Sequence, residues 1–313
     1  MAKINLKELS KKKSLWAEGH RSCAGCAPAL VMKQVLLAVE DPVVCSCATG
    51  CMEVCSSIYP YTSWRCNFIH SAFENSAATI CGVEAAYRSL KKQGKLDDDI
   101  KFIAFGGDGG TYDIGFQSLS GAMERKQNIT YVCYDNEAYM NTGVQRSSAT
   151  PIGARTNTTP TGKVKAGKEQ TRKDLAACMV AHDVPYVATV SPHNPRDLMA
   201  KVQKALAVEG PAFILAMAPC PVGWEYKPED SVKLARLAVE TCFWPLYEVV
   251  DRQYKINYKP KEKLPVMEWC QLQRRFAHLA QPAFAPLAEK LQAQVDHKWD
   301  ELLHLEASTN PDG

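Results

Sequence analysis

The sequence predicts an α/β protein with a doubly wound, mostly parallel sheet, followed by a C-terminal helical extension. Between Asp41 and Pro219, short apolar runs alternate with longer segments of helical spacing, the pattern of parallel strands joined by crossover helices. The runs are apolar almost throughout, as expected of strands that are covered on both faces. Beyond Trp224 the periodicity weakens, prolines become more frequent, and a final amphipathic helix is indicated.

The predicted elements follow from these patterns in chain order. The predicted strands are Val43 to Ala48, Ile100 to Phe105, Ile129 to Tyr134, Tyr186 to Val190 and Phe213 to Ala218. Helical stripes lie between them, formed by Val83, Tyr87 and Leu90 and, after the helix-start signal Asn194-Pro195, by Leu198, Val202 and Leu206. The helix before the first strand carries Leu30, Val31 and Val35.

Two further segments complete the predicted organisation. Residues 149–171 are rich in Thr, Gly, Pro and Lys and are predicted to form a long loop, which in a compact domain usually serves as a lid or binding segment. The final helix presents Leu287, Leu291, Val295, Trp299 and Leu302. We therefore expect one domain over 1–224 and an extension over 225–313 that packs on a partner.

The composition excludes several classes of protein. The 313 residues include 37 basic and 34 acidic side chains, a net charge of +3, which gives no field that favours nucleic acid as the chief partner. Met1 to Lys13 lacks the apolar core of a secretory signal, and no apolar stretch approaches the roughly 18 residues of a membrane helix. We expect a cytoplasmic protein with no membrane partner. Its 13 cysteines then point to metal ligation, redox work or packing rather than disulfides.

A glycine-rich motif follows the strand that ends at Phe105. It comprises Gly106, Gly107, Asp108, Gly109 and Gly110, and a helix with Ile114, Leu119 and Met123 comes next. Glycines let the backbone approach a phosphate, and the free N–H groups of a helix start face the anion. A carboxylate beside a phosphate requires a cation between them, so Asp108 indicates a divalent metal such as Mg²⁺.

Asn136 follows Asp108 by 28 residues, after one helix and one further strand. Since parallel strands end at one edge of a sheet, both side chains can reach one ion. Its ligands would be the Asp108 carboxylate, the Asn136 side-chain oxygen, a backbone carbonyl near Ala138, two diphosphate oxygens and a water. A surface turn with an N-capping aspartate is the simplest alternative. A Rossmann site is disfavoured because no G-x-G-x-x-G follows the first strand.

Four cysteines are candidate ligands. Cys23 and Cys26 form a CxxC before a helix, a spacing shared by thioredoxin-like pairs, zinc sites and iron-sulfur clusters. The thioredoxin interpretation is weakened because the CxxC precedes the first strong strand. Cys51 and Cys220 each follow the carboxyl end of a strand, on the edge that holds Asp108. A cluster held by the four thiolates would lie beside the diphosphate site, although a structural zinc fits the same spacing.

The other nine cysteines are predicted to be small core residues. They are Cys45, Cys47, Cys55, Cys66, Cys81, Cys133, Cys178, Cys242 and Cys270. Cys45 and Cys47 alternate within one strand and therefore share a face, which packing explains without a metal.

The order of these motifs resembles the β subunit of the 2-oxoacid:ferredoxin oxidoreductases, of the pyruvate synthase and oxalate oxidoreductase type. The resemblance runs from Gly19 to about residue 280 and includes 59–62, 70–75, 106–115 and 134–150. It implies a sheet of the thiamine diphosphate-binding type, thiamine diphosphate with Mg²⁺, and one 4Fe-4S cluster. The implied cluster ligands are Cys23, Cys26, Cys51 and Cys220.

The resemblance also implies an activity, the oxidative decarboxylation of a small 2-oxoacid with electrons passed through the cluster to ferredoxin. The implied cofactor-binding residues are Cys51, Gly107, Asp108, Gly109, Gly110, Asn136, Ala138 and Asn141, with Asp108, Asn136 and Ala138 on Mg²⁺. Asn141 is the candidate catalytic residue that contacts the substrate. A turn-forming asparagine before Thr142-Gly143 explains it equally well.

The implied partners are an α subunit that binds the pyrimidine, γ- and δ-type chains including a ferredoxin-like electron carrier, and ferredoxin. Pyruvate or oxalate is the expected substrate, with 2-oxoisovalerate and 2-oxoglutarate as alternatives. Coenzyme A is expected with pyruvate and is not needed with oxalate. So many thiols beside a cluster suggest an anaerobe.

One departure from the family pattern and one rival hypothesis bear on the expected function. Ala27-Pro28 replaces a glycine that many relatives have after the second cysteine, often followed by an acidic residue near the cofactor. The rival from another class is a non-catalytic zinc or cluster protein that scaffolds partners.

Overall fold

The computed structural model describes residues 4–162 and 165–310, which form one eight-stranded sheet with helices on both faces. The strands are β1 Val43–Ala48, β2 Asn67–Ser71, β3 Lys101–Gly107, β4 Thr130–Asp135, β5 Tyr186–Val190, β6 Ala212–Met217, β7 Tyr247–Val250 and β8 Gln253–Ile256. Their order is β2-β1-β3-β4-β6-β5-β7-β8. The first six run parallel, and β7 and β8 are antiparallel. The predicted doubly wound, mostly parallel sheet is thus confirmed.

The helices cover the two faces in separate sets. The α-helices are α1 Leu6–Leu9, α2 Ala27–Leu37, α3 Cys51–Val54, α4 Ser76–Lys92, α5 Phe116–Glu124, α6 Leu175–Ala181, α7 Pro195–Ala207, α8 Pro221–Trp224, α9 Ser231–Glu240, α10 Val266–Cys270 and α11 Ala285–Thr309. The 3-10 turns are Pro228–Asp230, Arg274–Ala280 and Pro282–Phe284, and a π-helical turn spans Gly109–Ile114. Helices α2 and α7 pack on one face, and α4, α5, α6, α9, α10 and α11 on the other.

The central strands are buried at every position, which explains their continuous apolar sequences. Strands β4 and β6 each have six buried residues, as expected between two helical layers. Helix α7 begins where the sequence predicts, because the Asn194 side chain accepts a hydrogen bond from the Asp197 N–H at 3.3 Å and Pro195 follows the cap. Within residues 4–162 and 165–310, no helix is long and apolar enough to cross a membrane.

Three strands were missed by the sequence pattern, for two physical reasons. Edge strand β2 is only partly buried, and Asn67 and His70 interrupt its apolar run. The hairpin between β7 and β8 turns through Asp251 and Arg252, at φ 47° and 67°. Such turns usually contain Asn-Gly or Asp-Gly, so the expected glycine signal is absent here.

The segment 225–313 is therefore not purely helical, since β7 and β8 continue the sheet beyond β5. The face of α11 that carries Leu291, Val295 and Leu302 is buried, as its spacing predicts. The division of the chain at residue 224 stays a prediction. Residues 149–162 and 165–171 contain no helix or strand, in keeping with the predicted loop.

Candidate cofactor and metal site

Four neighbouring parallel strands bring the predicted site segments to one edge of the sheet. Strand β1 ends before Cys51, β3 before Asp108, β4 before Asn136 and β6 before Cys220. These strands lie side by side in the order β1-β3-β4-β6. The sheet topology alone therefore gathers segments that are up to 169 residues apart in sequence at a place where open α/β sheets bind ligands.

Asp108 is fully buried. Its carboxylate accepts hydrogen bonds from the Ser147 hydroxyl and, at 3.3 Å, from the Asn136 N–H. Burial, followed by the neighbouring charge of Asp135, raises its pKa well above the ordinary value. In the described part of the chain no lysine or arginine forms an ion pair with it. A buried carboxylate without a cation is costly, which is why burial favours the neutral form of Asp108 here.

The Asn136 side chain meets two oxygens at this point. Its terminal amide atom lies 2.8 Å from Asp108 Oδ1 and 2.9 Å from the Ala138 carbonyl oxygen. With the amide oxygen inward, three oxygens face one another, which is the kind of ligand set that Mg²⁺ takes. With the nitrogen inward, the amide donates to both neighbours and closes the site without an ion. The residues present therefore fit the implied metal.

The glycine motif is buried and tightly packed. A Cβ on Gly109 would lie 2.6 Å from the Tyr139 ring, and one on Gly110 would lie 3.0 Å from the Phe73 carbonyl oxygen. The chain continues as a π-helical turn before α5 begins, a feature frequent at functional sites. Asp108 makes no side-chain hydrogen bond that caps this turn, so the alternative of a surface turn with a capping aspartate is wrong.

The candidate cysteines lie near one another. Burial raises the pKa of Cys51 to about 12, and the charges of Cys220, Cys55 and Cys23 add to this effect. Burial also raises the pKa of Cys26, with contributions from Cys220, Cys55 and Cys51. Within residues 4–162 and 165–310, however, no three His, Cys, Asp or Glu side chains stand at metal-binding positions. The role of the four cysteines as ligands stays a prediction.

The other nine cysteines fall mostly in the core, as predicted. Seven are buried, namely Cys45, Cys47, Cys55, Cys81, Cys133, Cys242 and Cys270. Cys66 and Cys178 are only half-buried. Cys55 also belongs to the group of thiols around Cys51, which its sequence position did not reveal.

The C-terminal segment fixes the CxxC loop. Gly25 has φ +69°, and a Cβ there would lie 2.3 Å from the Pro228 carbonyl oxygen, so only glycine fits. The Ser231 hydroxyl donates a hydrogen bond to the Gly25 carbonyl. The Ala27 N–H donates to the Pro219 carbonyl at 3.3 Å, which ties the loop to the segment that carries Cys220.

A buried charge network that the sequence did not reveal surrounds the Asn136 loop. The Arg172 guanidinium pairs with Asp135 and, at 2.9 Å, with Glu137, and Arg275 pairs with Glu137 from the other side. Glu137 has φ +68°, an uncommon conformation for a residue with a side chain. Asp135 and Glu137 flank Asn136 in sequence, and this was the only sign of a charge network in the sequence. The arginine partners lie far along the chain, so the pairing itself left no local signal.

Asn141 lies in an exposed turn, and its catalytic role stays a prediction. The turn is closed by the Gly143 N–H, which donates to the Met140 carbonyl at 3.2 Å, and by mutual backbone bonds between Tyr139 and Gln145. Among the described residues no hydrogen bond joins Asn141 to Asp108 or Asn136. Tyr139, by contrast, packs on Gly109 and is a site residue that the sequence analysis missed.

Comparison with known proteins agrees with this geometry. Residues 47–216 match the family described as thiamine pyrophosphate enzyme, C-terminal TPP binding domain. The chain is 49% identical to pyruvate synthase subunit PorB of Methanocaldococcus jannaschii over 289 residues, 92% of this chain and 96% of that one. It is 47% identical to PorB of Thermotoga maritima over 317 residues, 98% of each chain.

Two further relatives widen the comparison. Ketoisovalerate oxidoreductase subunit VorB of Pyrococcus abyssi is 40% identical over 289 residues, 92% of each chain. The solved structure of a 2-oxoglutarate:ferredoxin oxidoreductase from Magnetococcus marinus matches with a TM-score of 0.54 at 20% identity, over 75% of this chain and 81% of that one, and supports the fold. The chain therefore belongs to the thiamine diphosphate-dependent β subunits of the 2-oxoacid:ferredoxin oxidoreductase family, the group that includes pyruvate synthase PorB.

Proposed function

We propose that the chain is the β subunit of a pyruvate synthase. In the assembled enzyme, pyruvate and the coenzyme A thiol would give acetyl-coenzyme A, carbon dioxide and a proton, while two oxidised ferredoxins each accept one electron. The observation that carries the proposal is the convergence of Asp108, Asn136 and Ala138 at one point of the sheet edge, beside the cysteine group. Neither a dehydrogenase site nor a plain scaffold needs both features together.

The first half of the site would hold thiamine diphosphate through Mg²⁺. Asp108, Asn136 and Ala138 would supply the three protein oxygens to the metal. Gly107, Gly109 and Gly110 leave the backbone free to face the diphosphate. When bound, thiamine diphosphate supplies the nucleophilic carbon and the electron sink for decarboxylation. These residues are buried or nearly so. The task of the chain would therefore be to shield the diphosphate from water and to hold it in place.

The second half would hold one 4Fe-4S cluster on Cys23, Cys26, Cys51 and Cys220. Support comes from the pKa values of Cys26, Cys51 and Cys220, which burial raises first and the charges of neighbouring thiols in this group raise further. Cys51 also lies close enough to Asp108 for that carboxylate to raise its pKa. A cluster ligand beside the diphosphate site would give electrons a short path away from the substrate, one at a time.

The remaining parts of the enzyme would come from other chains. We expect an α subunit that binds the pyrimidine, γ- and δ-type chains with a ferredoxin-like electron carrier, and ferredoxin itself. The extension 225–313 would pack on one of them. Tyr59 and Tyr61 are 94% and 76% exposed, so this loop is available for contact. All 13 cysteines are unpaired, which favours the cytoplasm, and oxygen-sensitive activity would fit an anaerobe.

Pyruvate is the proposed substrate because the relatives named for it are more similar to this chain, at 47–49% identity, than the one named for ketoisovalerate, at 40%. Oxalate remains the second candidate, since its cleavage yields only carbon dioxide and needs no coenzyme A. The alternatives 2-oxoisovalerate and 2-oxoglutarate would undergo the same decarboxylation, and each carries a larger substituent on the 2-oxo carbon than pyruvate does.

The test is purification of the complex without oxygen, together with its co-purifying subunits. For each copy of this chain we expect about one thiamine and at least about four irons and four sulfides, since the ferredoxin-like chain would add clusters of its own. One zinc without thiamine would contradict the proposal and support a scaffold. Turnover with each of the four 2-oxoacids, with and without coenzyme A, identifies the substrate; ferredoxin reduction by pyruvate only in the presence of coenzyme A is the expected result.

A further inference from the structure

Trp224 connects the two halves of the site directly. Cys220 precedes helix α8, and its thiol accepts a hydrogen bond from the Gly223 N–H at 3.3 Å. Trp224, at the end of the same helix, is fully buried. Its indole Nε1–H donates a 2.7 Å hydrogen bond to the carbonyl oxygen of Asn136. One rigid turn of helix therefore touches both a candidate cluster ligand and a candidate metal ligand.

Arg275 reinforces this connection from the C-terminal segment. Its guanidinium lies 3.9 Å from the Trp224 ring and pairs with Glu137. The Arg275 Nε–H donates to the Gln273 side chain at 2.9 Å, which sets the orientation of the guanidinium. Arg275 is also near enough to Cys220 to oppose the rise in the pKa of that thiol, which is caused first by burial.

The Asn136 loop needs such support. Glu137 adopts φ +68°, and such a conformation persists only where the surroundings hold it. Asn136 and Ala138, on either side, meet at the proposed metal site, where the terminal amide atom of Asn136 lies 2.8 Å from Asp108 Oδ1 and 2.9 Å from the Ala138 carbonyl oxygen. Release of the Asn136 carbonyl or of the Glu137 carboxylate would let the loop relax and would move both oxygens.

We propose that Trp224 and Arg275 are positioning residues that preform the metal-binding loop 135–138 and hold it in a fixed relation to the Cys220 segment. This inference rests on the proposed function, since it assumes Mg²⁺ and a cluster at the two sites. It assigns to the C-terminal segment, through Arg275, a role inside the cofactor site in addition to packing on a partner. Binding of Mg²⁺ with thiamine diphosphate should then change the environment of the cluster.

The test compares two tryptophan variants of the complete complex. Trp224→Phe removes the indole donor and leaves the Asn136 carbonyl unpaired. Trp244→Phe is the matched control: Trp244 is also buried, and its indole donates to the Val190 carbonyl at 3.0 Å, at the end of a strand that carries no candidate ligand. The Arg172 guanidinium lies 4.7 Å from the Trp244 ring, and phenylalanine keeps an aromatic ring under it. Both complexes are stripped of cofactor with a chelator, and thiamine diphosphate binding is followed by calorimetry as Mg²⁺ is added.

We expect Trp224→Phe to raise the Mg²⁺ concentration for half-maximal thiamine diphosphate binding roughly 5- to 20-fold, the effect of an unpaired buried carbonyl. Iron content should stay at the wild-type value. Trp244→Phe should leave the Mg²⁺ requirement unchanged. In the wild type, addition of Mg²⁺ and thiamine diphosphate should alter the electron paramagnetic resonance spectrum of the reduced cluster, and this change should be smaller in Trp224→Phe.

A wild-type Mg²⁺ requirement and a wild-type spectral change in Trp224→Phe would overturn the inference and leave the proposed function intact. A wild-type complex that binds no thiamine diphosphate would overturn the proposed function, and the inference with it. If Trp224→Phe does not assemble, the Arg275 variants decide. Arg275→Gln must then raise the Mg²⁺ requirement several-fold, and the requirement of Arg275→Lys must lie between those of Arg275→Gln and the wild type. The same Mg²⁺ requirement in Arg275→Gln and the wild type would also overturn the inference.

Discussion

The side chain of Asn136 lies 2.8 Å from the carboxylate of Asp108, although 28 residues separate them in sequence. The contact exists because β3 and β4 are parallel neighbours in register, with Gly107 opposite Tyr134. Each side chain leaves the sheet just after its own strand ends. The spacing of one βαβ unit is therefore a sufficient physical reason for this carboxylate and this amide to meet, as the proposed Mg²⁺ site requires.

Replacement of Asp108 should separate cofactor binding from folding. For Asp108→Asn we expect the bound thiamine diphosphate and magnesium to fall at least about tenfold, because the charged ligand is lost. The melting temperature in chelator should not fall, since the buried, unpaired carboxylate disfavours folding when no cation is present. Thiamine and magnesium analysis with thermal unfolding measures both. Asp97→Asn, at an exposed position, is the control, and a large loss of stability in Asp108→Asn alone would contradict this explanation.

Much of this geometry follows from the sequence, because strand ends and glycines leave local signals. Cys51, Asp108, Asn136 and Cys220 were expected at one edge from the parallel topology, and each follows the carboxyl end of one of four adjacent strands. What could not be expected are contacts made by residues distant in sequence. Arg275 lies 138 residues from Glu137, and no periodicity or motif relates the two.

The turn between β7 and β8 illustrates a second limit. Asp251 and Arg252 both have positive φ without a glycine or asparagine, so tertiary contacts outweigh local preference there. The Asp251 N–H donates to the Pro185 carbonyl at 3.0 Å, and the Arg252 side chain pairs with Asp183. These contacts come from the neighbouring β5 side of the sheet, which a local sequence pattern does not report.

The cysteines can be separated by their effect on iron content. Cys51→Ser should lower the iron bound by the complex by up to about four atoms for each copy of this chain, because one of four proposed thiolates is lost. Cys45→Ser, in the strand that leads to Cys51, should keep its iron and lose about 1–2 kcal/mol of stability, since a hydroxyl replaces a fully buried thiol. Iron analysis and chemical unfolding test the pair. Equal iron content in the two variants would refute the assignment of Cys51.

The glycines differ in what surrounds them. A Cβ on Gly109 would lie 2.6 Å from the Tyr139 ring, whereas a Cβ on Gly82, in α4, would meet no atom within 4 Å. Gly109→Ala should displace Tyr139 and weaken thiamine diphosphate binding about tenfold or more. Gly82→Ala should leave binding unchanged and add about 0.5–1 kcal/mol of stability. Adding Tyr139→Leu to Gly109→Ala should recover part of the affinity; no recovery would mean that the ring is not the obstacle.

The acid stability of the protein should depend on His193. Burial lowers the pKa of His193 from 6.5 to about 4; the nearby Glu240 opposes this effect and Arg236 reinforces it, while Ser191 hydrogen bonds to Nδ1. In the unfolded chain the imidazole takes up its proton near pH 6.5. Between pH 6.5 and 4 the unfolded state therefore binds more protons than the folded state, and the free energy of unfolding decreases as the pH is lowered. After allowance for partial solvent screening, we expect a loss of about 1–3 kcal/mol across this window. His193→Gln should remove that part of the pH dependence in urea unfolding, and an identical slope in the variant and the wild type would assign the acid sensitivity to other groups.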